Sequence, residues 1–158
     1  MILHKLNKYE CSMGLPKVKF RELTFQILFS YEFFFNEDSE ELCSMLMKKL
    51  KTTKKHVKQS LENVKKILDK VPEIDNQIKQ MCVSYDFQRI SKVELNVLRL
   101  AIFEMFYEEL PFNIAISEAI RVCRKFSTPE GANFVNAILD GLCKANNAIK
   151  CEEVSIVK

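Results

Sequence analysis

The chain has 158 residues, of which 47% are hydrophobic and 28% are charged, and its net charge is +3. A chain of this length can bury a core without disulfide or metal support, and its composition is that of an ordinary globular protein. Only 3 Gly and 4 Pro occur. This excludes the many tight turns of an all-β fold and favours long helices with short connections.

The first helix is predicted from Pro16, because proline is well suited to the first turn of a helix. Residues 1–14 contain no apolar stretch of the signal-peptide type and are expected to form a flexible extension. The apolar residues of the first helix recur at helical spacing: Phe20, Leu23, Ile27, Tyr31 and Phe34. Phe25 and Phe29 lie on another face, which is typical of the central helix of a bundle. Polar residues interrupt the run, so it is too short to span a membrane.

The middle of the chain has the apolar spacing of five more helices. Asp38, with Glu41 three residues later, predicts the start of the second helix. The third is expected to stop near Pro72, since proline breaks the hydrogen bonding of a helix interior, and a short fourth helix would follow. Ser91 and Glu94 form a capping-box pattern for a long fifth helix, and a sixth lies before residue 127.

The seventh helix is predicted to begin with Ser127 or Thr128 as its cap and Pro129 in its first turn. No strand-like alternation is present, so the predicted fold is all-α, with about seven helices. Residues 15–145 are expected to form a single helical domain. Residues 146–158 show no clear period and are expected to be a C-terminal tail.

Six Cys are present, but no CxxC spacing occurs and the only histidines are His4 and His56. The pattern predicts free thiols in a reducing cytoplasm, without a metal site or a cofactor. The three Gly are too far apart to form a phosphate-binding loop. Enzymatic activity is therefore not expected, and no catalytic residue is predicted.

Lys17, Lys19 and Arg21 lie at the start of the first predicted helix, where the positive end of the helix dipole makes cations mildly unfavourable. An anion at the helix start would reverse that effect, because the side chains and the free N–H groups would both point towards it. The pattern therefore allows two interpretations. The cations either bind RNA phosphate or simply extend into water.

Two other polar patterns remain open. Residues 48–70 contain nine Lys against Glu62 and Asp69, which fits either a nucleic-acid surface or a solvated helix face. In the seventh helix a polar stripe lies beside the apolar one and consists of Asn133, Asn136 and Asp140. Asparagine is a mediocre helix former, so this stripe indicates hydrogen bonding either to a ligand or within the fold.

Three blocks of the sequence resemble the NusB family of bacterial transcription antitermination factors. They read KVKFRELTFQILFSYE, RISKVELNVLRLAIFEMFY and PFNIAISEAIRVCRKFSTPEGANFVNAILDGL. The resemblance implies two small packed helical bundles and a protein that binds single-stranded boxA-type RNA of ribosomal RNA transcripts. It also implies two partners: NusE, which is a small-subunit ribosomal protein, and the RNA polymerase antitermination complex.

The resemblance also implies site residues. Together with Asn133 of the polar stripe, the expected RNA-binding residues are Lys17, Lys19, Arg21, Gln26, Phe29, Glu130, Phe134, Asn136 and Asp140. Glu94 matches a position on the side that faces NusE in the family.

Several positions depart from the family pattern. Val18, Asn133 and Gly141 stand where family members usually carry Arg or Lys, Ala137 replaces a Gly, and Ser117 replaces an Asn. This site is therefore expected to have a lower affinity for RNA or to depend more strongly on NusE.

Two alternatives remain beside the NusB function. The amino-terminal domain of ribosomal RNA cytosine methyltransferases resembles NusB, but such an enzyme needs a further catalytic domain of about 200 residues. The other alternative is a helical protein-interaction module without affinity for RNA.

Overall fold

The structure, a computed structural model, describes the backbone of residues 15–33 and 40–156 and the side chains of residues 15–33, 41 and 43–147. No strand occurs in the two described ranges. Their helices are α1 (Lys17–Tyr31), α2 (Glu40–Leu50), α3 (Lys54–Met81), α4 (Lys92–Phe106), α5 (Phe112–Phe126) and α6 (Pro129–Ile156). A 3-10 turn, Phe87–Arg89, lies between α3 and α4. The predicted all-α fold is confirmed. The expected extension over residues 1–14 and the predicted cap Asp38 lie outside the described residues.

The chain divides into two compact units, of which the first ends at Lys65 and the second begins at Lys66. The first unit holds α1, α2 and the first part of α3, and the second holds the rest of α3 with α4, α5 and α6. In the second unit α5 packs against α4 and α6, which also contact each other. The division agrees with the two small helical bundles that were predicted, whereas a single domain over residues 15–145 stays a prediction.

Helix α1 is buried on most sides, as its sequence predicted. Leu23, Phe25, Ile27 and Leu28 are all buried, and so are the polar side chains of Glu22 and Thr24. A helix of 15 residues with so many buried positions has little freedom to move. The first turn, in which Lys17 and Lys19 are exposed, therefore continues directly from a well-packed part of the helix.

The predicted break near Pro72 is wrong, because α3 runs without interruption from Lys54 to Met81 with Pro72 inside it. The apolar stripe stays in phase on both sides of the proline, with these buried residues: Val57, Val64, Ile67, Ile74 and Ile78. Pro72 itself is exposed. Water can therefore bind the carbonyl that loses its N–H partner, while packing on the other side stabilises the helix.

Polar contacts join α3 to α4 within the second unit. The guanidinium of Arg99 donates two hydrogen bonds to the carboxylate of Asp75, both at 2.8 Å. The hydroxyl of Tyr107 donates to Oε2 of Glu73 at 2.7 Å. Burial, with a smaller contribution from Glu73, raises the pKa of Tyr107 to about 12. Such bidentate, charge-assisted bonds fix the register of the two helices.

Helix α6 continues to Ile156 and so includes most of residues 146–158, which were expected to be a C-terminal tail. The segment after Ala145 lacks a clear apolar period, but it contains no Gly or Pro that would stop a helix. Absence of periodicity in a polar segment therefore did not mean absence of helix.

Candidate nucleic-acid interface

The first turn of α1 is positively charged and has no side-chain cap. Pro16 precedes the helix and gives no capping hydrogen bond, and the first turn contains no acidic residue. Lys17 and Lys19 are exposed, and Arg21 is half-buried. The positive end of the helix dipole therefore lies among cations, which becomes favourable when a phosphate is present.

The three cations do not lie on one face of α1. Lys17 and Arg21 are four residues apart and share a face, whereas Lys19 is two residues from each and projects from another side. The ammonium of Lys19 is 3.8 Å from the carboxylate of Glu22, which is 8% exposed. Lys17 and Arg21 therefore share the face along which one phosphate chain would lie, whereas Lys19 projects from another side.

Gln26 and Phe29 lie further along α1 and are half-buried. The ring of Phe29 is the middle of a ladder, with centroids 6.1 Å from Phe25 and 5.1 Å from Phe33. The backbone carbonyl of Gln26 accepts a hydrogen bond from Ser30 Oγ at 2.7 Å. Phe29 therefore has a clear packing role, and contacts of both side chains with RNA stay predictions.

The start of α6 is capped by groups of the chain itself. Thr128 Oγ1 accepts a hydrogen bond from the backbone N–H of Gly131 at 3.1 Å, so Thr128 is the cap among the two candidates. Ser127 instead donates its hydroxyl to Oε1 of Glu94 at 3.1 Å. Glu130 is exposed in the first turn, where its negative charge suits the helix dipole.

The predicted polar stripe of α6 is present on the surface. Asn133 and Asn136 are exposed, and Asp140 is half-buried. The carboxylate of Asp140 is 2.7 Å from the ammonium of Lys144, and this pairing raises the pKa of Lys144. Phe134 is half-buried beside the stripe. The stripe therefore presents two amide side chains and one carboxylate that is paired with a lysine. It is not strongly positive.

Glu94 has a structural role that the sequence did not indicate. Its backbone N–H donates to Ser91 Oγ at 3.3 Å, as the capping-box pattern predicted. Its carboxylate, however, extends to Ser127 at the start of α6. The negative charge of Glu94 adds to burial in raising the pKa of Cys123 to about 11, against an opposing hydrogen bond from Ser127. Contact of Glu94 with NusE stays a prediction.

The predicted RNA-binding residues fall into two groups. The α1 group belongs to the first unit and the α6 group, from Glu130 to Asp140, belongs to the second. Sequence reasoning missed Tyr85, whose ring lies 5.3 Å from that of Phe134. In the sequence, Tyr85 is visible only as an aromatic residue between two charged helices. Such a position is common and does not by itself indicate a ligand site.

The departure at Gly141 has a structural explanation. A Cβ added at Gly141 would lie 3.3 Å from Sδ of Met81, which is closer than ordinary packing allows. A lysine at this position would therefore require Met81 to shift. Val18 and Asn133, the other two positions without the usual cation, are exposed and could carry a charge without such a conflict.

Within the described ranges, no group of three or more His, Cys, Asp and Glu side chains could hold a metal ion. The described cysteines, Cys43, Cys82, Cys123 and Cys143, are free thiols. None of the described helices has the length and apolarity needed to cross a membrane. The six lysines between residues 48 and 58 are all exposed: Lys48, Lys49, Lys51, Lys54, Lys55 and Lys58.

Residues 18–144 match the family model described as the NusB family. The chain belongs to the NusB family. It is 37% identical to the transcription antitermination protein NusB of Chlamydia pneumoniae over 133 residues, which are 83% of this chain and 82% of that protein. NusB is a family of transcription antitermination factors and not of enzymes.

Solved NusB structures share this fold. The structure of NusB from T. maritima superimposes with a TM-score of 0.69 at 31% identity and covers 84% of this chain and 93% of that one. A second structure, of the antitermination factors NusB and NusE in complex with dsRNA, has a TM-score of 0.67. Its identity of 21%, over 82% of this chain and 96% of that one, shows similarity of fold alone.

Proposed function

We propose that this chain is an RNA-binding antitermination factor that binds boxA-type RNA of ribosomal RNA transcripts together with NusE. It would do so within the RNA polymerase elongation complex in the cytoplasm. Membership of the NusB family is the observation that carries the proposal. A structure of the same fold holds NusB, NusE and dsRNA together, which supports both partners.

The surface of this chain supports RNA binding that depends on a partner. The start of α1 presents Lys17 and Arg21 on one face, and α6 presents exposed amides. Yet Val18 and Asn133 are exposed positions without the cation that family members usually carry. Few phosphate contacts are then available, and the electrostatic part of the affinity for RNA is correspondingly small.

A titration of labelled boxA RNA, with and without purified NusE, tests this function. We expect the midpoint of the RNA titration to lie at a lower concentration of this protein when NusE is present. NusE would supply RNA contacts in place of the cations that this chain lacks. A scrambled RNA of equal length and a duplex RNA serve as controls for sequence and strandedness. An unchanged midpoint would contradict the dependence on NusE, and equal binding of boxA and scrambled RNA would contradict boxA recognition.

A further inference from the structure

Tyr85 is an exposed aromatic residue that the fold holds in place. Its side chain lies in the segment of residues 82–91 between α3 and α4, and the residue is 45% exposed. On one side its ring lies 5.3 Å from that of Phe134, tilted by 49°. At its end the hydroxyl donates to the backbone carbonyl of Arg89 at 3.2 Å. The ring therefore has two independent attachments and still presents surface to water.

The backbone around Tyr85 is also organised. The next residue, Asp86, accepts a hydrogen bond from the N–H of Gln88 at 3.0 Å and so caps the 3-10 turn. That turn leads to Arg89, the residue whose carbonyl receives the tyrosine hydroxyl. An aromatic ring fixed in this way loses little conformational freedom when a ligand binds to it.

Positive charge lies in this segment and in the neighbouring last turn of α3. Arg89 is exposed, and the ammonium of Lys79 is 4.8 Å from the centre of the Phe87 ring. Exposed aromatic rings interleaved with cations form the usual surface for single-stranded nucleic acid, on which bases stack and phosphates pair with the cations. Phe134, which packs on Tyr85, is itself one of the residues expected to contact RNA.

We propose that Tyr85 is a base-stacking residue of the RNA site, supported from behind by Phe134. This inference rests on the proposed RNA-binding function and extends it to a residue outside the family motifs. The ligand is an unpaired RNA base that lies on the exposed face of the tyrosine ring. Either a purine or a pyrimidine can stack there, because every base has an aromatic face.

Three single variants and one labelled RNA test the inference. Tyr85→Leu keeps an apolar contact with Phe134 but removes the aromatic face, and we expect it to weaken binding of single-stranded boxA RNA by about 5-fold to 100-fold. Tyr85→Phe keeps the face and should retain most of the affinity. Val83→Ala changes a residue of the same segment that is 90% exposed and should bind RNA as the unchanged protein does. Circular dichroism establishes that each variant is folded.

A set of abasic RNAs distinguishes stacking from an indirect structural effect. If one base lies on Tyr85, removal of that base should abolish the difference between the unchanged protein and Tyr85→Leu, while removal of other bases should leave the difference intact. An equal loss with every abasic RNA, or no loss at all, would overturn the stacking role. A loss of NusE binding with unchanged RNA affinity would also overturn it.

The outcomes separate this inference from the function on which it rests. If the unchanged protein binds boxA RNA and Tyr85→Leu binds it equally well, the stacking role is wrong and the proposed function stands. If the unchanged protein binds no RNA, alone or with NusE, both are wrong.

Discussion

The starts of α1 and α6 differ in side-chain capping and in charge. At α6 the hydroxyl of Thr128 caps the backbone, and Glu130 complements the helix dipole. At α1 the residue before the helix gives no cap, and the charged side chains of the first turn are basic. A helix start with a side-chain cap and an acidic residue has little need of an anion, whereas a positive start without a side-chain cap gains from one.

Two kinds of residue lie close to the predicted RNA-binding residues. Around α6, Ser127 and Glu94 are bonded to each other and hold the helix start in position. At α1, Lys17 is exposed and Arg21 is half-buried, and the buried residues of the helix begin at Glu22. Residues of the first kind should affect stability when changed, and residues of the second kind should affect binding.

The largest effect is expected from the cations of α1. Replacement of Lys17, Lys19 and Arg21 by Ala should lower the slope of log affinity for single-stranded RNA against log salt by roughly 2, since each lost contact removes about 0.7. At 0.1 M salt this corresponds to about a 100-fold loss of affinity. Anisotropy titrations at several salt concentrations measure both quantities. The free energy of unfolding should fall by less than about 1 kcal/mol, because charge pairs at a helix surface contribute little to stability.

Two matched variants sharpen this prediction. Lys17→Ala combined with Arg21→Ala should account for most of the loss, because these residues share a face of the helix. Replacement of Lys54, Lys55 and Lys58 removes the same charge from the same unit and should have a smaller effect. If the second set proved dominant, the α1 cations would be a solvated helix start and the RNA surface would lie on the lysine-rich segment of residues 48–70.

The next effect concerns the pH dependence of stability near α6. The pKa of Cys123 is raised from an ordinary value of 9.0 to about 11, mainly by burial and then by the charge of Glu94. The folded state therefore holds the thiol proton more tightly. The resulting stability is complete below pH 9 and is lost as the pH rises through 11. Between pH 8 and 10.5 the loss should be on the order of 2 kcal/mol.

Urea unfolding at both pH values measures that loss, with Cys123→Ala as the control. The variant lacks the thiol, so its stability should decline less over the same interval, although other groups titrate in both proteins. Equal declines in the two proteins would show that the environment of Cys123 does not favour the neutral thiol.

A smaller effect is expected from Gly131→Ala, and its sign is informative. In an open helix this change stabilises by about 1 kcal/mol. Here the new Cβ would lie 2.9 Å from Ser127 Oγ and closer still to Glu94 Oε1, so the bond between those side chains must break. Loss of a hydrogen bond to a charged group costs about 1.5–3 kcal/mol. The net result should be a destabilisation of about 1 kcal/mol.

The same change in a Glu94→Ala background provides the test. Without the carboxylate the conflict largely disappears, and Gly131→Ala should become neutral or stabilising in a thermal unfolding experiment. An identical cost in both backgrounds would mean that the start of α6 does not depend on Glu94.

The smallest effect is expected from removing metals and oxidants. Within the part of the chain that the structure describes, no group of side chains could hold a metal ion, and the described cysteines are free thiols. Addition of a chelator together with a reductant should leave the helical circular dichroism signal and the melting temperature unchanged. A large loss of signal would reveal a metal or a disulfide on which folding depends.

Predictions from local sequence patterns were correct where a few neighbouring residues determine the structure. Ser91 caps α4, and Thr128 caps α6, as their positions before the helices predicted. The rule that proline ends a helix failed at Pro72. That rule takes account only of the backbone hydrogen bond that proline removes. In α3 the continuous buried stripe stabilises the helix on both sides of that residue.

The candidate site was only partly predictable for the same reason. Motifs identified the α1 cations and the α6 stripe, because each group lies on one helix. Contacts between residues far apart in sequence were missed, including that between Tyr85 and Phe134 and that between Glu94 and Ser127. Neither apolar periodicity nor motif spacing indicates which distant residues will be in contact.

The sequence by itself determined the helical fold, two helix caps and membership of the NusB family, because apolar spacing, capping residues and family motifs are local or linear properties. Only the tertiary structure decided which polar groups are already engaged. It assigned the carboxylate of Glu94 to Ser127 and the ammonium of Lys19 partly to Glu22, and it placed an exposed tyrosine against Phe134. The physical reason is that hydrogen bonds and ring contacts depend on distances of a few ångströms, which packing fixes after the helices have formed.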